Sequence, residues 1–288
     1  MDEKMRIRLL LSQRNEITEH FIYKKLASLS KNKNNREVLN KIAEEEKSHY
    51  EFLKKLTKKE IHPDRKRVFL YTIMAKILGL TFSLKLMERG EDIAQDVYEK
   101  IKGEIPEFGQ IFEDENRHER EIISLLDEER LKYVSSMVLG LNDALVELTG
   151  ALAGLTLALQ NTRLVAIVGL ITGIAASMSM SASEYLSTKQ EETTKNPVRA
   201  SVYTGIAYIL TVFFLILPYL FFKNIFLCLG FVLINALIVI LLFTFYISVA
   251  KELSFKKRFL EMAGLSLSIA VVNFFIGMAI RKIFGVEV

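Results

Sequence analysis

Two segments of the chain repeat one pattern of metal-binding side chains. The pattern is Glu-x-x-His, formed by Glu46 and His49 in one segment and by Glu115 and His118 in the other. On an α-helix, residues three apart lie on the same face, so each segment can present a carboxylate and an imidazole to one ion. Mixed carboxylate and imidazole ligands suit Fe²⁺ or Mn²⁺.

Two further segments supply single carboxylates. Each has a Glu seven residues before a Tyr: Glu16 before Tyr23, and Glu91 before Tyr98. Two Glu-x-x-His helices with one Glu from each of two other helices form the ligand set of two-metal carboxylate sites in four-helix bundles. The tyrosines either hydrogen-bond groups behind the ligands or pack in the core. The predicted ligands are Glu16, Glu46, His49, Glu91, Glu115 and His118.

The same residues have a plainer interpretation. A solvated helix face would explain a single Glu-x-x-His in so charged a segment, but the interleaved repeat of both patterns favours a di-metal centre. Glu19 and Glu88 lie one turn from Glu16 and Glu91 and are reserve ligands. A third metal position and simple solvation would both account for these two residues.

The elements that must position these ligands are helices. Apolar residues at a spacing of about 3.6 predict an all-helical bundle within residues 1–133. The predicted helices cover residues 5–29, 35–60, 66–102 and 106–132.

One part of the third predicted helix is unusually apolar. Residues 68–87 are nearly long and apolar enough to span a membrane, but a span there would place the predicted ligands on opposite sides. We therefore predict that residues 66–87 form a helical crossover that runs into the third bundle helix. Its spare apolar face would cover a subunit partner or the membrane surface.

The second half of the chain differs sharply in composition. Of the 72 Asp, Glu, Lys and Arg residues, 53 lie in residues 1–133. A membrane-spanning helix needs about 20 apolar residues, and residues 134–288 supply five such runs. This predicts an all-α chain, a four-helix bundle followed by a five-span transmembrane domain. The predicted spans are 134–159, 164–187, 198–221, 225–250 and 259–284.

The charges flanking the spans predict the orientation. Five spans place the two termini on opposite sides, and more basic residues lie in the loops after spans two and four than in the other loops. The positive-inside rule then makes the N-terminal bundle cytoplasmic and places the C-terminus on the opposite side. We predict an integral membrane protein in the cell membrane of a prokaryote. No basic stripe with interleaved aromatics supports nucleic-acid binding, and Cys228 has no second cysteine for a disulfide.

Four residues within the spans can do chemistry. Asp143 and Glu147 lie one turn apart in span one, and Met180 and Glu184 lie one turn apart in span two. Ionisable groups at membrane depth are costly and mark function, and the thioether favours a transition metal. We predict that Asp143 and Met180 face each other in a transport path. Alternatively, Met180 packs, Glu147 pairs with Arg163 or Lys189 near an interface, and Glu184 reaches that interface.

Small and amide residues in the spans predict helix contacts. The Gly-x-x-x-Gly motifs at 150–154 and 169–173 allow close approach, either inside one subunit or across a dimer. Asn235 and Asn273 are predicted to form hydrogen bonds between helices.

Two resemblances cover nearly the whole chain. Residues 1–133 resemble a rubrerythrin-type ferritin-like domain through the paired Glu-x-x-His and Glu-x₆-Tyr patterns. Residues 134–288 resemble the vacuolar iron transporter family, and the fusion resembles the group called membrane-bound ferritins. The matching transporter motifs are Gly140-Leu-Asn-Asp143 and Ser179-Met180-x-x-x-Glu184-Tyr185.

The resemblance implies a dimeric Fe²⁺/Mn²⁺ transporter that exports metal from the cytosol in exchange for protons, with Asp143 and Met180 in its path. Eukaryotic family members carry a Glu-rich insert between spans two and three. Here that connection is only residues 187–197, so capturing or sensing iron falls to the bundle. The alternative function is a membrane-anchored di-iron ferroxidase or peroxidase, although one span would suffice as an anchor.

Overall fold

The computed structural model describes residues 3–87, 108–124, 133–191, 195–251 and 253–284, and the regular structure in them is helical throughout. The chain divides into two compact units, Met1–Glu128 and Glu129–Val288. The prediction of an all-α fold is confirmed.

The first unit contains the bundle helices. Asn32 and Asp64 begin the second and third helices, because each side chain accepts hydrogen bonds from two backbone N–H groups of the first turn. Lys58, in a left-handed conformation, ends the second helix. The helices are α1 (Glu3–Leu29), α2 (Lys33–Thr57), α3 (Arg65–Leu78) and α4 (Phe108–Ser124), with a further helical segment at 80–87.

The prediction of one continuous helix over 66–102 is wrong. α3 ends at Leu78 because Gly79 adopts φ 105° and ψ 155°, a conformation that suits glycine alone. The chain then turns back, so that Ser83 Oγ donates a hydrogen bond to the carbonyl of Tyr71. Residues 68–87 therefore fold into the bundle as two segments, and no described part of them is long enough to cross a membrane.

The predicted ligand positions continue the buried stripe of α2. Leu39, Ile42 and Leu53 are fully buried, and Glu46 and His49 occupy the same face at the helical spacing between them. The spacing that buries the apolar core therefore also directs a carboxylate and an imidazole into the bundle.

The second unit contains five helices that are long and apolar enough to cross a membrane, as predicted. Asn side chains cap three of them, and Pro197 follows the cap of one at the first helical position. The chain is therefore an integral membrane protein. The helices are α5 (Val134–Leu159), α6 (Thr162–Gln190), α7 (Pro197–Phe221), α8 (Ile225–Ala250) and α9 (Phe255–Phe284).

Glycines of the membrane unit allow close contacts between helices of the same chain. A Cβ at Gly277 of α9 would lie 2.1 Å from the carbonyl oxygen of Gly154 in α5, and a Cβ at Gly173 of α6 would lie 2.6 Å from Val212 Cγ1 in α7. Both Gly-x-x-x-Gly motifs therefore pack within the subunit and give the predicted dimer no support.

The two intramembrane asparagines behave differently from each other. Asn235 donates to the carbonyl of Phe214 in α7, which confirms the predicted bond between helices. Asn273 instead donates to Ile269 of its own helix, so the same prediction is wrong for Asn273. Its side chain lies beside Gly150 of α5, where the missing Cβ leaves room for it.

Candidate functional site

Side chains from three helices of the bundle converge on one point. Glu16 of α1, Glu46 and His49 of α2, and Glu115 of α4 each place a ligand atom within 4.8 Å of the others. His118 of α4 joins this group, because its Nδ1 lies 3.1 Å from Glu46 Oε1. The structure thus brings together every predicted ligand that lies within its described residues.

The imidazole Nδ1 atoms face the carboxylates. His49 Nδ1 lies 3.4 Å from Glu16 Oε2 and 3.6 Å from both Glu46 Oε2 and Glu115 Oε1. The two imidazole rings stack with their centroids 6.0 Å apart. We call these five side chains, Glu16, Glu46, His49, Glu115 and His118, the carboxylate–histidine cluster.

The opposite nitrogen of each imidazole meets a carboxylate from the other helix. His49 Nε2 lies 3.3 Å from Asp114 Oδ2, and His118 Nε2 lies 2.7 Å from Glu45 Oε2. Arg117 joins the two acids, at 2.6 Å from Asp114 and 3.0 Å from Glu45. Metal-binding histidines are commonly held this way, with the second nitrogen donating to a carboxylate.

This crossed pairing was not predicted from the sequence. Its only signal is the acid that immediately precedes each Glu of the Glu-x-x-His pattern, Glu45 before Glu46 and Asp114 before Glu115. A solvated acid would give the same letters, so the pattern alone does not reveal the contact.

The cluster leaves buried polar atoms without well-oriented hydrogen bonds. Glu46 Oε2, His49 Nδ1 and His118 Nδ1 are buried and have no hydrogen-bond partner in the part of the chain that the structure describes. Buried polar atoms are nearly always paired, and leaving them unpaired is costly. A cation bound between the Nδ1 atoms and the carboxylates would satisfy all three, so the donor set fits a metal ion.

The electrostatics of the cluster show what a cation would replace. Burial raises the pKa of Glu16 to about 7, opposed by the neighbouring His49 imidazole and assisted by the charge of Glu46. Burial lowers the pKa of His118, but its carboxylate neighbours, Glu46 first, raise it to about 9. The same balance, with Glu115 as the strongest partner, raises the pKa of His49 above its usual range. At neutral pH the two imidazolium groups therefore offset part of the negative charge of the buried carboxylates.

The reserve ligand Glu19 is buried beside the cluster. Burial and then the charges of Glu46 and Glu16 raise its pKa well above the usual range. The guanidinium of Arg67 lies 3.9 Å from its Oε1. Tyr23 lies in the apolar core of the bundle.

Three other residues of the predicted site, Glu88, Glu91 and Tyr98, lie outside the described residues. The contribution of the remaining bundle helix therefore stays a prediction. His20, which fits no ligand pattern, is buried, and its Nδ1 lies 2.6 Å from the carbonyl oxygen of Ala43.

In the membrane unit, Glu147 has a partner that the sequence did not indicate. Tyr208 of α7 donates its hydroxyl to Glu147 Oε2 at 2.8 Å. The alternative that Glu147 pairs with a basic residue is therefore wrong. Asp143 lies half-buried one turn earlier on α5.

Glu184 is buried between helices. It accepts hydrogen bonds from Ser136 Oγ of α5 at 2.5 Å and from Thr188 Oγ1 at 3.4 Å. The alternative that this carboxylate reaches an interface is therefore wrong. Met180 packs against the buried core of the unit, as the packing alternative expects.

The hydrogen bond between Ser136 and Glu184 also fixes the axial register of the antiparallel helices α5 and α6. Counting along α5 and α6 from this pair places Met180 opposite Gly140, about three residues from Asp143. At a rise of 1.5 Å per residue, Asp143 and Met180 then lie within about 5 Å of the same depth. This similar depth is compatible with the predicted transport path. Direct contact between the side chains of Asp143 and Met180 stays a prediction.

A cavity of about 340 Å³ begins beside Glu147 and Tyr208. It continues between α5, α6 and α9 to Ala158 and Ile280, which lie near the C-terminal ends of α5 and α9. Small and apolar residues dominate its walls. The other polar residues that line it are Thr172 and Asn273.

Comparison with known proteins bears on the membrane unit alone. No curated protein matches the chain. Residues 134–195, which form α5, α6 and the start of the next connection and contain Asp143, Glu147, Met180 and Glu184, match the VIT family.

Proposed function

We propose that this chain is a membrane transporter that exports Fe²⁺ and Mn²⁺ from the cytosol in exchange for protons. The observation that carries the proposal is the VIT family match over residues 134–195, because that segment contains the candidate transport residues Asp143, Glu147, Met180 and Glu184. Family membership favours Fe and Mn ions as cargo. The direction of transport, the proton exchange and a homodimeric assembly are parts of the proposal.

The intramembrane step is assigned to Asp143 and Met180. A carboxylate and a thioether at similar depth offer one hard and one polarisable ligand, a combination that favours transition metals over Mg²⁺. Glu147 and Glu184 lie one turn from these residues and already have hydroxyl partners. They would serve as further ligands or as proton carriers.

Proton exchange follows from the chemistry of a carboxylate in a membrane. Such a group is costly as an unpaired anion and must be deprotonated to bind a metal. Alternate binding of a metal ion and a proton by Asp143 would therefore couple the two movements. The cavity that begins at Glu147 would provide the route onward across the membrane.

The bundle is proposed to be a rubrerythrin-type ferritin-like domain, residues 1–133, that captures or senses cytosolic iron. The carboxylate–histidine cluster supports this role, because its donor set suits Fe²⁺ or Mn²⁺. Glu88 and Glu91 are proposed to complete a di-metal centre.

A direct test is Fe²⁺ or Mn²⁺ uptake into proteoliposomes that contain the full chain, with and without an imposed pH gradient. We expect uptake that accelerates when the gradient drives protons in the opposite direction. Uptake equal to that of protein-free vesicles would contradict the proposal.

The second candidate function is a membrane-anchored di-iron ferroxidase or peroxidase. The crossed carboxylate support of both imidazoles favours this function. His49→Ala combined with His118→Ala separates the two functions. A transporter should retain uptake at high metal concentration in this variant while losing binding in the bundle. An anchored enzyme should consume O₂ or peroxide with Fe²⁺, lose that activity in the variant and transport no metal.

A further inference from the structure

α3 exposes a second apolar face in addition to the one that it buries. Ala75 on its inner side packs into the bundle core. On the outer side, Phe69 is 67% exposed, Leu70 53% and Ile77 68%. Large apolar side chains that cluster on a surface mark an interaction site.

A groove of about 680 Å³ runs between this face and α1. Six of its twelve described lining residues are apolar, three are Lys or Arg, and none is Asp or Glu. The apolar residues include Phe21, Phe69 and Ile73, and the basic residues are Lys25, Arg65 and Lys76. We call this groove, with the exposed face of α3, the α1–α3 surface.

The charge of this surface is unbalanced. α3 contains four Lys or Arg residues and no acid. Arg67 is engaged with Asn15 and Glu19. Lys25, Arg65 and Lys76 form no ion pair with any described residue. The cationic groups that border the groove are therefore available to an anionic partner.

We propose that the α1–α3 surface binds an anionic lipid membrane. Helices that combine Phe and Leu with Lys and Arg lie in the interface, with apolar side chains at the boundary between headgroups and acyl chains. Phe69 and Ile77 would enter this boundary, and Lys25, Arg65 and Lys76 would meet lipid phosphates. Each basic side chain near an anionic surface strengthens binding about fivefold.

A second copy of the chain fits this surface less well. A twofold contact brings the same patch of both copies together. The basic groups of one copy would then meet those of the other without a carboxylate between them. An anionic lipid surface removes this repulsion and satisfies both the apolar and the charged parts.

The absence of Trp from the sequence allows a specific test. Phe69→Trp introduces the only tryptophan, and the full chain is reconstituted in nanodiscs of phosphatidylcholine alone or mixed with anionic phosphatidylglycerol, with brominated acyl chains. The control is Glu51→Trp on the exposed side of α2. We expect blue-shifted emission and bromine quenching for Phe69→Trp in anionic discs, and neither for the control.

Removal of the three basic charges tests their contribution to lipid binding. The test protein combines Phe69→Trp with three further substitutions, Lys25→Gln, Arg65→Gln and Lys76→Gln. The ratio of lipid-bound to unbound α1–α3 surface should fall on the order of 100-fold, and its dependence on anionic lipid should disappear. Ile77→Trp provides an independent probe if Phe69→Trp does not fold.

Two results would overturn the proposal. One is equal quenching of the Phe69→Trp and Glu51→Trp proteins in anionic discs. The other is a blue shift that is independent of lipid charge and occurs without bromine quenching, because that would show a second copy covering the surface.

Discussion

Glu45→Gln should weaken metal binding by the bundle although Glu45 is not a predicted ligand. Its carboxylate lies 2.7 Å from His118 Nε2 and 3.0 Å from Arg117. The amide preserves the volume of the side chain but removes the charge that orients the imidazole. His118 Nδ1 would then be held less firmly toward the cluster.

The magnitude follows from the role of such supporting carboxylates. Their loss typically costs 10–100-fold in metal affinity, which corresponds to about 1.4–2.8 kcal/mol. The contact between Asp114 and His49 is longer, at 3.3 Å. We therefore expect Glu45→Gln near the upper end of this range and Asp114→Asn near the lower end.

Isothermal titration of the full chain with Mn²⁺ under anaerobic conditions measures this effect. The matched control is Glu44→Gln, which makes the same change one residue earlier. Glu44 is exposed and pairs with Lys24 instead of an imidazole. Equal affinities for the Glu45→Gln and Glu44→Gln proteins would refute the assigned support of His118.

Metal binding by the cluster should release protons. The pKa values of His49 and His118 are raised, to about 9 for His118, so a bound metal ion must displace protons from the two imidazoles. Metal binding should therefore strengthen as pH rises from 6 toward 9, and titration in buffers of different ionisation enthalpy should detect the released protons. Gly277→Ala should lower the stability measured by thermal unfolding by about 1–3 kcal/mol, because the added Cβ disrupts the α5–α9 contact. Gly264→Ala is the control and should change stability little, because a Cβ there meets nothing within 4 Å. Equal effects of the two substitutions would contradict the packing of α5 against α9. In a Cys228→Ser background, cysteines introduced near the two termini should be labelled from opposite sides of the membrane, and labelling from one side would contradict the five-span topology.

Local patterns in the sequence predicted much of the fold and of the cluster. The three-residue spacing from Glu46 to His49 and from Glu115 to His118 fixes one helix face without any knowledge of the tertiary structure. The five spans could be predicted for the same reason, because apolar length is a property of each segment by itself.

The features that the sequence did not reveal depend on contacts between distant residues. The bond from Tyr208 to Glu147 joins two helices, and neither residue carries a local signal for the other. The supporting contacts of Asp114 and Glu45 cross between α2 and α4 in the same way. The helix break at Gly79 was not predicted, because a single glycine inside an apolar helical pattern is often tolerated.

The most direct test of the proposed transport mechanism is Asp143→Asn in the full chain, assayed for Fe²⁺ or Mn²⁺ uptake into proteoliposomes under a pH gradient. Asparagine keeps the size of the side chain but cannot alternate between a proton and a metal ion. Glu261→Gln, an exposed acid paired with Arg258 at the start of α9, is the matched control. We predict that Asp143→Asn abolishes uptake, that the bundle of this variant still binds metal, and that Glu261→Gln transports normally. Uptake by Asp143→Asn at the unmodified rate would contradict both the assigned path and the proton exchange.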